Sequence, residues 1–235
     1  MEDYEAPSVA ICIPSHDMVA SMTMYDLSRM MLQVGAAANQ GFIDEVGVNI
    51  SSGTYIHRSR EALAETVLKR EPTPDYILWM DADMRFPKDA LFRLLQHDKD
   101  VVGINYAKRG IPPEYVAFTE LATAEDESSV RCETRADSEG LEKVEGIGFG
   151  LVLMKTHVFN RVASERPWFW YEIEGENGRH VGEDVYFCRL LNDAGIDIYV
   201  DHDLSKECAH LGQFEYQPIH AEDYVESQKP NLVTP

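Results

Sequence analysis

The sequence predicts a single α/β domain with a mixed, mostly parallel central sheet flanked by helices. Two strand-length apolar runs enclose a stretch of helical spacing, the same cycle recurs twice more, and after about Tyr115 the rhythm changes to short segments. The first run, VAICIP (9–14), is a strand. Residues 17–38 follow with Met, Leu and Ala at helical spacing, and DEVGVNIS (44–51) is the next strand. A helix over 58–70 places Ala62, Leu63, Val67 and Leu68 on one face. DYILWM (75–80) is a buried strand entered through the breakers Pro72 and Pro74. Pro87 suits a helix's first turn, Leu91, Leu94 and Leu95 form that helix's stripe, and DVVGINY (100–106) is the strand after it.

The short segments YVAFTE, SSVRCET and LEKVEG, followed by GFGLVLMK, predict antiparallel strands added to the sheet. Residues 120–145 carry nine acids against three bases and read as a solvated hairpin or flap. A helix over 182–194, with Val185, Phe187 or Cys188, and Leu191 inward, ends at Gly195 and leads to the strand IDIYV. The core is expected over 8–212, with an irregular tail over 213–235; there is no internal repeat or linker.

Composition excludes several classes. With 235 residues, 44% hydrophobic and 26% charged, the chain is neither disordered nor collagen-like. Its longest apolar run, 146–154, falls short of the ~20 residues that span a bilayer, and its first residues are acidic where a secretory signal is basic and then apolar. A cytoplasmic protein without a membrane partner is expected; in a viral setting, this means the host cytoplasm. Cys12, Cys132, Cys188 and Cys208 form no C-x-x-C pair, so reduced thiols are expected and a zinc knuckle is not. The net charge of −20 repels polyanions, so a nucleic-acid partner needs a local basic patch.

D-x-D occurs three times: Asp81/Asp83, Asp98/Asp100 and Asp201/Asp203. Asp98 and Asp100 lie in a helix-to-strand turn, whereas Asp201 and Asp203 end a strand and are a real rival. Asp81 and Asp83 follow the buried strand YILWM, which delivers both carboxylates to the carboxyl edge of the sheet, where ligands of open α/β folds bind. Two carboxylates there suit Mg²⁺ or Mn²⁺ shared with substrate phosphates. No P-loop and no dinucleotide fingerprint is present. The glycines of GIGFG (146–150) lead into a strand and permit close backbone approach to a ligand or neighbouring strand.

Arg58 and Arg60, at the start of the helix before that strand, can meet a diphosphate with guanidinium forks or simply face solvent. Glu183 and Asp184 open a helix. They either satisfy its N-terminal amides and dipole, or one of them is a base for an acceptor hydroxyl. His210 in CAHLG can join a carboxylate metal site, although most histidines are not ligands.

Taken in order, IPSHD, SGTYIHRSREALAETVL, YILWMDADMRFP, DVVGINYAKR, GFGLVLMK, GEDVYFC and CAHLG resemble a nucleotide-sugar glycosyltransferase of the GT-A fold, family-2-like branch, over about residues 8–212. The DADMRFP, GFG and GEDVYFC layout is similar to that of small bacteriophage glycosyltransferases, some of which decorate hydroxymethylated pyrimidines in DNA. The resemblance implies a nucleotide-sugar donor, a UDP-sugar first, held through Mn²⁺ or Mg²⁺. It implies that Asp83 is the principal metal ligand, that Asp81 contacts the donor's ribose or sugar and is a further candidate ligand of the ion, and that His210 completes the coordination. By the same resemblance, Ser15 and Asp17 lie beside the base, Arg60, with Arg58, faces the phosphates, and Asp184, or second Glu183, deprotonates the acceptor in an inverting reaction. IPSHD departs from the threonine and asparagine of many members, which leaves base recognition open.

Modified DNA is the leading acceptor. Lys108 and Arg109 of NYAKRGIPPEY are expected at its phosphates, the two tyrosines of that segment on a base, and Gly148 and Phe149 on the acceptor side. The alternatives are transfer to a glycan, lipid or protein hydroxyl, a sugar-phosphate nucleotidyltransferase, and a non-catalytic sugar-nucleotide-binding module.

Overall fold

β1 (Val9–Ser15) is buried along its whole length, which requires cover on both faces. The computed structural model describes residues 5–110, 112–123, 128–162, 166–175 and 178–212; the expected tail, 213–235, lies outside the described residues. After β1 come α1 (Ser21–Ala38), β2 (Val46–Ser52), α2 (Ile56–Leu68), β3 (Tyr76–Met80), β4 (Met84–Arg85), α3 (Ala90–Gln96) and β5 (Val101–Gly103). The second half contributes β6 (Phe118–Glu120), β7 (Val130–Arg131), β8 (Leu141–Val144), β9 (Leu151–Lys155), α4 (Val158–Arg161), β10 (Glu172–Glu174) and β11 (Arg179–Val181). It closes with α5 (Glu183–Asp193), β12 (Ile198–Asp201), α6 (His202–Ser205) and β13 (Ala209–His210).

Seven strands form one sheet in the order β2-β1-β3-β9-β5-β12-β8. β1 runs parallel to β2 and β3, and β5 parallel to β12. β9 is inserted antiparallel between β3 and β5, and β8 closes one edge antiparallel to β12. Because strand side chains alternate, the inner strands β1, β3 and β9 supply two cores. Ala10, Cys12, Ile77, Trp79 and Val152 pack with Leu63 and Val67 of α2 and Phe187 and Leu191 of α5. Val9, Ile11, Ile13, Leu78 and Leu153 pack with Leu27 and Met30 of α1 and Leu91 and Leu94 of α3. Among the described residues, no helix is long and apolar enough to cross a membrane.

Several expectations are corrected. YVAFTE and SSVRCET do not extend the main sheet; β6 and β7 pair with each other, and their half-exposed residues lack the apolar content that double-sided burial needs. The first helix begins at Ser21 instead of residue 17, because Ser15 Oγ donates to Met18 O at 2.8 Å and Ala20 N donates to Ala82 O at 2.8 Å. The inner face of α2 is Ser59, Arg60, Leu63, Ala64 and Val67, with Ala62 exposed. On α5, Glu183 takes an inner position and Val185 is only half-buried.

Candidate active site

β1 and β3 are parallel, so their carboxyl ends share one edge of the sheet. β3 delivers Asp81, Ala82 and Asp83 there. Asp81 N donates to Gly150 O at 2.9 Å and Ala20 N to Ala82 O at 2.8 Å, which ties the aspartate loop to the start of β9 and to the loop after β1. β4 and β13 then pair antiparallel with His210 opposite Met84, and Leu211 N donates to Asp83 O at 2.8 Å. A histidine far along the chain is thereby fastened to the aspartate loop.

His210 Nε2 stands 3.4 Å from Asp83 Oδ1, while its Nδ1 lies 3.3 Å from Ala107 O and its ring meets Tyr106 edge-on at 5.2 Å. A carbonyl only accepts, so Nδ1 carries the proton and donates. In the neutral ring Nε2 then turns a lone pair toward a carboxylate, an arrangement that calls for a cation between them or a second proton on the ring. Burial works against ionisation of Asp83, yet the hydrogen bond and charge of His210, together with Arg109, hold its carboxyl below the usual range. Asp83 and His210 therefore set one carboxylate oxygen and one ring nitrogen side by side, donors of the kind a divalent cation takes, while the Asp81 carboxylate is engaged by Arg60.

Arg60 lies beneath this edge and is only 1% exposed. Its Nη2 donates to Asp81 Oδ1 at 2.8 Å and its Nε to Glu183 Oε1 at 3.3 Å; its guanidinium carbon is 5.7 Å from the Trp79 ring centre and 5.4 Å from that of Phe149. The expectation of a guanidinium facing the phosphates is corrected to a buried link between two carboxylates. Burial pushes the Asp81 carboxyl up, and Arg60 opposes that rise.

Glu183 and Asp184 form the first turn of α5, capped by Gly182. One residue is about 100° of helix, enough to separate their roles. Glu183 is buried against Arg60, and after burial its charge is the next influence that raises the Tyr171 hydroxyl. Asp184 instead borders a cavity of about 340 Å³ that Lys108, Arg131, His180 and Phe118 also line. Burial first, and the Glu183 charge second, raise Asp184 to about 6, although its Oδ1 accepts from Val185 N at 2.8 Å.

The other expected site residues fall as follows. Ser15 is buried at the end of β1, and Asp17 is exposed in the loop beside it, 3.3 Å from His16 Nδ1. Arg58 is exposed and borders a second cavity with His57, Glu61 and Trp170. Lys108 lies on the Asp184 cavity, but Arg109 Nη1 pairs with Asp83 Oδ2 at 3.1 Å, beside the aspartate loop. Gly148 and Phe149, expected on the acceptor side, are both buried. Phe149 is fully buried among Trp79, Phe169 and Phe187, and a Cβ at Gly148 would come within 2.8 Å of the Tyr106 hydroxyl. The two tyrosines of that segment are also engaged internally: Tyr106 is buried, and Tyr115 Oη donates to Thr134 O at 2.7 Å.

The rival D-x-D pairs have structural partners. Asp201 caps α6 by accepting from Leu204 N at 2.8 Å and meets His97 Nε2 at 2.8 Å; Asp203 accepts from Gly140 N at 2.9 Å. Asp98 pairs with Lys155 at 2.7 Å and Asp100 with Arg161 at 3.1 Å.

No protein-family model matches the sequence, and no curated protein matches it. Solved structures match its fold. A197 from STIV is 15% identical with a TM-score of 0.50, over 89% of this chain and 97% of that one. GalNAc-T7 with UDP, GalNAc and Mn²⁺ is 11% identical with a TM-score of 0.55, over 91% of this chain and 45% of that one, so this chain spans less than half its length. The catalytic domain of Drosophila beta1,4galactosyltransferase 7 with xylobiose is looser, 14% identical with a TM-score of 0.43 over 87% and 71%. At such identities the likeness is one of fold, and with its seven-stranded mixed sheet the chain has the GT-A architecture.

Proposed function

We propose that this chain is a metal-dependent glycosyltransferase that moves a sugar from a nucleoside diphosphate sugar, a UDP-sugar first, to an acceptor hydroxyl with inversion. One observation carries the reading: a GT-A sheet edge places Asp83 against His210 and, across the buried Arg60, opens Asp184 onto a cavity.

Asp83 and His210, with Asp81 beside them, are the residues that would hold Mn²⁺ or Mg²⁺, whose charge stabilises the departing diphosphate. Arg109, paired with Asp83 and largely exposed, is assigned to the same diphosphate. Ser15 and Asp17 border the base side. Asp184 accepts the acceptor hydroxyl's proton as the oxygen attacks the anomeric carbon from the face opposite the diphosphate. A carboxylate near 6 is a stronger base than an ordinary aspartate and is still ionised at neutral pH. Glu183 is not the base in this scheme, because its carboxylate is committed to Arg60.

For the acceptor we retain a hydroxymethylated pyrimidine of DNA. The support is local: Lys108, Arg131 and His180 line the Asp184 cavity of a chain with a net charge of −20. A glycan hydroxyl is the alternative. The test is Mn²⁺-dependent release of nucleoside diphosphate from a panel of nucleotide sugars, with hydroxymethylated DNA, a short glycan, or no acceptor. Release stimulated by the modified DNA supports both parts, and stimulation by the glycan alone replaces the acceptor. No release from any donor overturns the transferase reading.

A further inference from the structure

A second cluster of ligand-type side chains lies away from the aspartate loop. Cys132, Glu142 and His202 each bring one ligand atom to within 4.8 Å of the others, the one such group among the described residues. His202 directly follows β12, which stands three strands from β3 in the sheet, about 14 Å at ordinary strand spacing. Glu142 sits on the edge strand β8, and Cys132 directly follows β7. Three segments separate in sequence thus meet at one point.

The surroundings are those of a prepared site. Cys132 and His202 are both buried. His202 Nε2 is 2.9 Å from Glu142 Oε2, and its Nδ1 is 2.9 Å from Thr134 Oγ1. Thr134 Oγ1 accepts from Asn105 Nδ2 at 3.1 Å and keeps a second lone pair for an Nδ1 proton. Without a metal, Nε2–H donates to Glu142; metal binding at Nε2 requires the proton on Nδ1 instead, where Thr134 Oγ1 can accept it, the outer-shell pattern that orients metal-bound histidines. The main chain of Cys132 is fastened on both sides: its N donates to Ala117 O at 3.0 Å and its O accepts from Asn105 Nδ2 at 2.9 Å.

We propose that Cys132, Glu142 and His202 bind one Zn²⁺, separate from the donor cation. Tetrahedral Zn²⁺ with bonds of about 2.0 Å to N or O and 2.3 Å to S sets its ligand atoms roughly 3.4 Å apart. The ligand atoms, within 4.8 Å of one another, need to draw in by at most about 1.4 Å to reach that spacing. Thiolate and imidazole select zinc over the Mg²⁺ or Mn²⁺ suited to the oxygen-rich aspartate loop. The ion staples the segment after β7 and the edge strand β8 to the start of α6, and its free energy of binding adds to that of folding. The proposal stands independently of the glycosyltransferase reading.

Cobalt substitution tests it on the full chain. The protein, stripped with chelator and titrated with Co²⁺, is expected to develop a near-ultraviolet thiolate-to-cobalt charge-transfer band that Zn²⁺ displaces. The band is expected to disappear in Cys132→Ser and His202→Gln and to persist in Asp83→Asn. Glu142→Gln, at a side chain 44% exposed, keeps the fold and is expected to weaken Co²⁺ binding at least tenfold. A wild-type protein that gives no such band overturns the proposal, as does a band that survives Cys132→Ser. Unchanged affinity in a folded Glu142→Gln removes the carboxylate from the site and overturns the three-ligand assignment.

Discussion

Replacing Arg60 by Met removes the charge that joins Asp81 and Glu183 while retaining most of the side-chain volume among Trp79 and Phe149. The substitution leaves two carboxylates at a buried edge with no opposite charge between them. Breaking a buried ion pair from one side costs about 3–5 kcal/mol. In a chain of this size each kcal/mol moves the melting temperature by about 2–4 °C, so Arg60→Met is expected to melt roughly 6–20 °C below wild type. Part of the loss is recoverable: Arg60→Met with Glu183→Gln removes one stranded charge, and the double variant is expected to be more stable than Arg60→Met alone. The pH dependence has a definite sign. Asp81 is already held above the usual carboxylate range, burial first, and loss of Arg60 removes its main opposing influence. A carboxyl raised on folding contributes stability below its unfolded pKa and loses it as pH rises through the folded value, so the deficit is expected to be smallest in acid and largest near neutrality. Urea and thermal unfolding at several pH values measure all three quantities. A variant within about 1 kcal/mol of wild type at pH 7 would refute the buried-triad account, because surface ion pairs are worth no more than that.

Asp184→Asn is expected to lower turnover about 10²- to 10⁴-fold while donor affinity, followed by calorimetry, stays within threefold. In the wild type the rate is expected to rise with pH through about 6 as Asp184 ionises, and a profile flat from pH 5 to 8 would exclude it as the base. Asp83→Ala and His210→Ala should each abolish the Mn²⁺-dependent part of donor binding, whereas Asp201→Ala should destabilise the fold and leave that dependence intact; equilibrium dialysis with and without the metal separates the two. Gly150→Ala places a Cβ 2.6 Å from the Tyr106 ring, and the shift it forces should lower thermal stability and loosen His210, read as weaker Mn²⁺-dependent donor binding.

Much of the architecture is legible because its causes are local. VAICIP and YILWM are apolar in the way a strand covered on both faces must be, and the breakers around them mark their ends. The insertion of β9 between β3 and β5 has no such signature, since strand order is decided by long-range pairing. Asp81 and Asp83 could be placed because they follow an apolar strand, whereas the pairing of His210 with the same loop depends on two short strands 125 residues apart. The role of Arg60 was accessible but missed: positions 60, 63, 64 and 67 form one i, i+3, i+4, i+7 stripe, so an arginine stood on the apolar face of its helix. A charge in that position signals a buried partner more than a solvent-facing ligand. Cys132, Glu142 and His202 could not be grouped from spacing, because the edge pairing of β8 with β12 joins only two of their segments and Cys132 arrives through separate bonds to Ala117 and Asn105.

The buried position of Arg60 also bears on how the two halves of the proposed reaction stay in register. Its guanidinium holds Asp81, on the donor side, and Glu183, the residue preceding the proposed base, through hydrogen bonds of 2.8 and 3.3 Å. A planar, always-charged fork locked between aromatic rings has little freedom to rotate, so it acts as a rigid spacer between the aspartate loop and the first turn of α5. Near-attack geometry tolerates errors of well under 1 Å. Lysine at position 60 keeps the charge but replaces the fork with a single point. Arg60→Lys should therefore recover much of the stability that Arg60→Met loses while turnover stays depressed. Parallel recovery of stability and turnover would reduce Arg60 to a structural counter-charge.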